Sequence, residues 1–249
     1  MSIAERVAIV TGGGSGLGRA MALGLAREGA KVLVAEVREA AGKAVLEEIR
    51  SRSGTGELFI GDLSQVERTK EMVALCAERF KQIDILINSA GLRMEEHEDG
   101  VFEPWRCLQK RPTYELRVEE WDLVLNVNLR AVFLCTHFAL PYMIRQRKGN
   151  IVSVSSNAGS QGVAGKSAYC ASKHAVEGLM KTVAEEVRGF GISANAIHPG
   201  SRANVDGRGG QPPEVIVPLA CFLAGQEVPE ITGQVISAKK WNEGKRPQA

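Results

Sequence analysis

Eight residues, Thr11-Gly12-Gly13-Gly14-Ser15-Gly16-Leu17-Gly18, constrain this chain more than any others. They separate an apolar run, Val7–Val10, from a stretch where Leu17, Met21, Gly24 and Leu25 recur at helical spacing until Gly29, a residue suited to end a helix. A strand that passes through a glycine loop into a helix leaves the first helical N–H groups facing the loop. Together with the helix dipole they can hold a pyrophosphate. The spacing is Gly-x-x-x-Gly-x-Gly and not Gly-x-Gly-x-x-Gly, so this reading rests on the strand–loop–helix context as well as on glycine count; the alternative is a tight turn that binds nothing.

Further β-branched runs follow between amphipathic stretches: Val32–Ala35, Leu58–Ile60, Ile83–Ile87, Ile151–Val154, Ile192–Ile197 and Gln234–Ile236. Continuous apolar runs suit parallel strands buried on both faces. Their alternation with helices predicts an α/β, Rossmann-type doubly wound parallel sheet of about seven strands, with helices on both faces in three layers. No linker or repeat period divides residues 1–249, so one domain is expected, and 249 residues can enclose a substantial core. Two segments break the alternation, near 92–118 and 200–213. Both follow strand C-terminal ends, where ligands sit in open α/β sheets, so they are expected to wall a substrate pocket. Surface excursions or an oligomer contact are the alternative.

Composition narrows the partners. The formal charge of +2 is spread along the chain without a dense basic block, which argues against nucleic acid. Five cysteines form no CxxC or other metal-ligand spacing and read as reduced thiols in a cytoplasmic protein. No secretory pattern precedes Val7. Leu123–Met143 is apolar but interrupted by Asn126, Asn128, Arg130, Thr136 and His137, which suits a core helix better than a membrane span. In Glu95-Glu96-His97-Glu98-Asp99 successive side chains point apart, so no metal site is expected. His174, His198 and Cys170 read as structural.

Glu36 ends the second run, where a carboxylate can accept hydrogen bonds from adenosine ribose hydroxyls and repel a 2′-phosphate. Ser15 adds no cation, and Val37 stands directly after the acid. NAD is therefore favoured over NADP, while nearby Arg38 keeps NADP open.

Tyr169 and Lys173 are four apart in a stretch of helical periodicity and share one face. At ~4 Å and an effective dielectric near 20, the lysine charge would favour a phenolate by about 4 kcal/mol, or roughly three pKa units, bringing the tyrosine into the range of general acid/base catalysis. A Tyr-x-x-x-Lys pair alone is also common on exposed helices. Ser156, at the end of the fifth run, would place a hydroxyl in the same crevice, although serines also simply begin loops.

Thr11 to Gly18, Asn88-Ser89-Ala90-Gly91, Asn128, Ser156, Tyr169-x-x-x-Lys173 and Pro199-Gly200 together resemble the short-chain dehydrogenase/reductase family, in order and over nearly the whole chain. The resemblance implies that Tyr169 exchanges a proton with the substrate oxygen, and that Lys173 tunes it and holds the nicotinamide ribose. It implies too that Ser156 orients the substrate and Asn128 links the lysine to a water-filled relay. Cofactor contacts are implied for Gly12, Ser15, Gly16, Leu17, Gly18, Glu36, Asp62, Leu63, Asn88, Ala90, Gly91, Tyr169, Lys173, Pro199 and Gly200. The chain departs from the family pattern in three places: Ser89 replaces a commoner asparagine, Ser201-Arg202-Ala203-Asn204 lacks the usual threonine after Pro-Gly and precedes a short lid, and Ser237–Asn242 stands where Asp-Gly-Gly is common.

The expected activity is NAD-dependent interconversion of a secondary alcohol, or a sugar or hydroxy-acid hydroxyl, and its carbonyl. Arg93, Arg106, Lys110, Arg111, Arg117, Arg202 and Arg208 in the two loops suggest a polar or anionic small-molecule substrate, though such charges are also commonly solvated. The alternatives are an NADPH-dependent carbonyl reductase and a cofactor-binding regulatory subunit that keeps the fold. The resemblance also implies a homotetramer or homodimer, with Leu123–Met143 and Tyr169–Val187 as interface elements.

Overall fold

The computed structural model describes residues 2–95, 107–201 and 209–245. Three β–α units open the chain: β1 (Val7–Thr11), α1 (Gly16–Arg27), β2 (Lys31–Glu36), α2 (Glu39–Ser51), β3 (Gly56–Ile60) and α3 (Val66–Phe80). β4 (Ile85–Asn88) is followed by two short strands, β5 (Arg93–Glu95) and β6 (Cys107–Gln109). Then come α4 (Val118–Leu125), a π-helical turn at Asn126–Arg130, α5 (Ala131–Gln146), β7 (Gly149–Val154), α6 (Ser167–Val187) and β8 (Ile192–His198). α7 (Val217–Ala224), β9 (Val235–Ser237) and α8 (Ala238–Asn242) complete the described elements.

The main sheet has seven strands in the order β3-β2-β1-β4-β7-β8-β9, all parallel. Strand side chains alternate between its faces, which creates two cores. Ala8, Val10, Val32, Val34, Ile85 and Ile87 meet α1, α2, α7 and α8, whereas Val7, Ile9, Leu33, Leu86 and Ile151 meet α3, α5 and α6. The Rossmann-type expectation is therefore met. Each of the buried valines, leucines and isoleucines among them contributes about 1.5–3 kcal/mol by leaving water.

Strand order explains the cleft. From β1 to β3 the chain moves one way with α1 and α2 on one face; from β3 it crosses back to β4 through α3 on the other. The connections diverge between β1 and β4 and leave a crevice above their C-terminal ends. The last crossover, β8 to β9, moves in the same direction as β7 to β8 yet places α7 on the α1 face, so its hand is reversed. Such reversal is rare among parallel crossovers.

Among the described residues one helical stretch, Val118–Gln146, is long and apolar enough to cross a membrane. Its Ala131, Val132, Cys135, Ala139 and Met143 lie in the second core. The segment expected to wall the pocket is not structureless where described: β5 and β6 pair in parallel, and Met94 and Leu108 pack with Val124 and Ala168 in a third small core. The Arg111 N–H donates to the Gly165 carbonyl at 3.1 Å, which ties this layer to the loop before α6.

Candidate active site

The glycine loop is closed by main-chain contact. Thr11 Oγ1 accepts the N–H groups of Ser89 (3.0 Å) and Ala90 (3.1 Å), drawing the ends of β1 and β4 together. Gly12 has φ +62°, and a side chain there would start 2.7 Å from the Ala90 Cα; at Gly18 it would start 2.2 Å from the Gly12 carbonyl oxygen. The glycines thus let backbone approach backbone at the start of α1.

Beside this loop Glu36 is buried at 6% exposure. Its carboxylate accepts the N–H groups of Gly14 (3.0 Å), Val37 (3.1 Å) and Arg38 (3.2 Å), so the main chain fixes its position. Arg38 approaches the same carboxylate at 3.4 Å and donates to Ser15 Oγ at 2.8 Å. Asp62 is exposed, and its carboxylate accepts the Ser64 N–H and hydroxyl, both at 2.9 Å. Arg130 at the start of α5 donates to the Ser64 carbonyl at 3.0 Å and braces that turn.

At the other end of the cleft Ser156, just beyond β7, accepts the Ala158 N–H at 3.2 Å, and its hydroxyl stands beside the Tyr169 phenol. Lys173, one helical turn after Tyr169, is buried, sits 5.7 Å from the tyrosine ring centroid and donates to the Val154 carbonyl at 2.7 Å. Burial of the Tyr169 phenol raises its pKa above 10.0; the neighbouring Ser156 hydroxyl and the charge of Arg93 work in the opposite direction. Burial brings Lys173 down to about 8, opposed by the charge of Glu177. The expectation that Lys173 alone would bring Tyr169 toward neutrality is corrected here. The ammonium is turned to a carbonyl beside the ring, and desolvation of the phenol outweighs the charges around it.

Gly12, Ser15, Gly16, Leu17, Gly18, Glu36, Asp62, Leu63, Ala90, Gly91, Ser156, Tyr169, Lys173 and Pro199 line one cleft of about 560 Å³. Three expected site residues sit behind its wall. Asn88 turns into the core, donating to Ser153 Oγ at 3.1 Å and Thr136 Oγ1 at 3.4 Å, because it lies within β4 and faces α5. Asn128, fully buried in the π-helical turn, accepts the Leu92 N–H at 2.7 Å and donates to the Leu92 carbonyl at 2.9 Å and Ser172 Oγ at 3.2 Å. Its amide is engaged by these partners, so it shapes the turn after β4 and makes no direct bond to the lysine. Gly200, at φ +87°, packs on the C-terminal segment: a side chain would start 2.5 Å from Ser237 Oγ and 2.7 Å from Lys239 Cβ. The atypical Ser237–Asn242 region thus supports the Pro199–Gly200 turn.

Sequence reasoning missed Lys166 and Glu95, which line the cleft and pair at 3.2 Å between β5 and the loop before α6. No periodicity links two residues so far apart in the chain. Of the basic loop residues expected at the substrate, Arg93 lines the cleft, whereas Arg111 and Arg117 face Glu120 at 3.8 and 3.0 Å and the Lys110 stem lies against Gly165. Arg106, Arg202 and Arg208, Glu96 to Asp99, Ala203 and Asn204, and with them the expected lid, lie outside the described residues.

A dinucleotide fits these residues. The backbone cradle at Gly12 and Gly18 admits no side chain, and in the cleft wall beside Pro199 Ser201 holds a buried hydroxyl oxygen that has no hydrogen-bond partner among the described residues. The loop and α1 N-terminus would hold the pyrophosphate, Glu36 the adenosine ribose, and Lys173 with Pro199 and Ser201 the nicotinamide end.

The short chain dehydrogenase family model matches residues 6–206. The 3-oxoacyl-[acyl-carrier-protein] reductase FabG of Thermotoga maritima is 34% identical over 255 residues, covering 95% of this chain and 97% of that protein. Cyclohexanol dehydrogenase of Acinetobacter sp. strain SE19 is 32% identical over 244 residues, covering 92% and 91%. A crystal structure from Beutenbergia cavernae, provisionally assigned as an NAD(P)-dependent gluconate 5-dehydrogenase and holding NADP at low occupancy, aligns with TM-score 0.83 at 31% identity, over 97% of this chain and 98% of that one. A provisionally assigned gluconate dehydrogenase from Agrobacterium tumefaciens aligns with TM-score 0.83 at 27% identity, over 95% of each chain.

Proposed function

The chain belongs to the short-chain dehydrogenase family, as an oxidoreductase acting on CH–OH groups, and from that premise we propose that it is an NAD-dependent dehydrogenase of a polar, anionic secondary alcohol. The observation that carries the reaction is the convergence of Ser156, Tyr169 and Lys173 on the cleft that also receives the glycine loop. When bound, the nicotinamide supplies or accepts the hydride. Tyr169 moves the proton at the substrate oxygen, Ser156 positions that oxygen, and Lys173, which has donors beyond the one given to Val154, holds the cofactor ribose and adds positive charge beside the phenol. Asn128 holds Leu92 and Ser172 in place around the lysine.

Glu36 supports NAD. A 2′-phosphate at the ribose would meet a carboxylate whose position the main chain fixes, and Arg38 already faces that carboxylate. Arg38 and the NADP-holding structural neighbour favour the rival, an NADPH-dependent carbonyl reductase. Fluorescence titration separates the two: NADH is expected to bind at least about tenfold more tightly than NADPH, a difference of about 1.4 kcal/mol. Equal or tighter NADPH binding contradicts NAD selection.

Arg93 supports an anionic substrate, since it lines the cleft and its charge acts on Tyr169. The sugar-acid names of the two structural neighbours point the same way. We also propose a cytoplasmic homo-oligomer. Phe133 on α5 is 48% exposed and stacks on His137, and Gly178 is exposed within α6 with open space around it.

A further inference from the structure

Glu177 is buried at 7% exposure on α6, two turns after Tyr169 and one after Lys173, so the three residues follow one face of the helix. A carboxylate is seldom buried without partners, because leaving water costs several kcal/mol. Its first partner is Ser155, whose hydroxyl donates to Glu177 Oε1 at 2.6 Å. Ser155 is itself 3% exposed, and its N–H donates to the Ile197 carbonyl in β8 at 2.7 Å.

The turn Asn157–Gly159 closes over this pair. A side chain at Gly159 would start 2.1 Å from Glu177 Oε1 and 2.6 Å from Ser155 Oγ. Ser155 immediately precedes Ser156, which heads the same turn. The hydroxyl–carboxylate bond therefore fixes the end of β7 against α6, across the gap that Ser156 and Tyr169 must span.

The charged and titratable groups around Glu177 are Lys173, His174 and Lys181, within one turn of it on its own helix, His198 at the end of β8 and, beside that histidine, Lys240 of α8. Its negative charge acts on both Lys173 and His198. We infer that Glu177 is a positioning residue that clamps Ser155, and through it Ser156, in register with Tyr169, and that supplies a buried negative charge one helical turn from Lys173.

This rests on the proposed dehydrogenase reading, and its test separates the two. Glu177→Gln keeps an oxygen for Ser155 and removes the charge; Ser155→Ala keeps the charge and removes the clamp. The titration of Lys173 is read without substrate or cofactor by 13C NMR of lysine labelled at Cε, its signal assigned by loss in Lys173→Met. In Glu177→Gln the Lys173 midpoint is expected to fall by about one pH unit. In Ser155→Ala kcat is expected to fall about tenfold with KM within about twofold, as for an interaction needed in the transition state and not for binding. An unchanged midpoint in a folded Glu177→Gln protein overturns the charge role, and unchanged kcat in Ser155→Ala overturns the clamp. Wild-type protein without turnover counts against the dehydrogenase reading alone, and the NMR midpoint still decides the charge role of Glu177.

Discussion

Lys173 carries a charge into an interior that disfavours it, and stability should record this. In the folded chain it loses its proton at about 8, against an ordinary 10.5. Below pH 8 the fold must bury an ammonium. Between about 8 and 10.5 the unfolded chain still holds the proton while the folded chain has released it, so stability rises with pH. Tyr169, raised above 10.0, has the opposite sign: above about pH 10 the unfolded phenol ionises first and stability falls again. The stability of wild type minus that of Lys173→Met, from urea unfolding, is expected to grow by on the order of 2 kcal/mol between pH 7 and pH 10. A flat difference contradicts this environment for the lysine. Tyr169, Lys173 and Ser156 were legible because their chemistry depends on local spacing and on place in the β–α order. Glu177 was not, since a glutamate among helical apolar residues reads as solvated until the turn at Gly159 is seen to cover it.

At the scale of elements, the strands and main helices could be read because buried parallel strands are apolar throughout and the helices between them are amphipathic. The pairing of β5 with β6 could not. Each is three residues long, and their register depends on Met94 and Leu108 meeting Val124 and Ala168. Nor does local sequence encode the reversed last crossover, which depends on where α7 docks. That docking has an identifiable lock. Buried Arg6 donates to the carbonyls of Ala224 (2.9 Å), Gly225 (3.2 Å) and Gln226 (3.1 Å), and Asn150 shares two of them. These are the end carbonyls of α7, where a cation is doubly favoured. Arg6→Ala should cost about 2–3 kcal/mol in urea unfolding. A loss under about 0.5 kcal/mol would show that α7 is held by apolar packing alone.

For the whole molecule, the α3/α5/α6 layer presents Phe133 to solvent beside a helix with an exposed glycine, a surface suited to a second copy of the chain. Sedimentation velocity is expected to find an oligomer for wild type and a smaller species for Phe133→Glu; a monomeric wild type would exclude this assembly. In the proposed reaction Tyr169 moves the proton and NAD carries the hydride within the cleft. Its most direct test is NADH formation from NAD across sugar acids, hydroxy acids, neutral sugars and apolar secondary alcohols, with Tyr169→Phe measured in parallel. Turnover confined to or strongest with the acids, and reduced at least about a thousandfold in Tyr169→Phe, is the expected result, a loss of about 4 kcal/mol of transition-state stabilisation. Equal turnover by the phenylalanine variant, or tight NAD binding with no turnover across the panel, would contradict it.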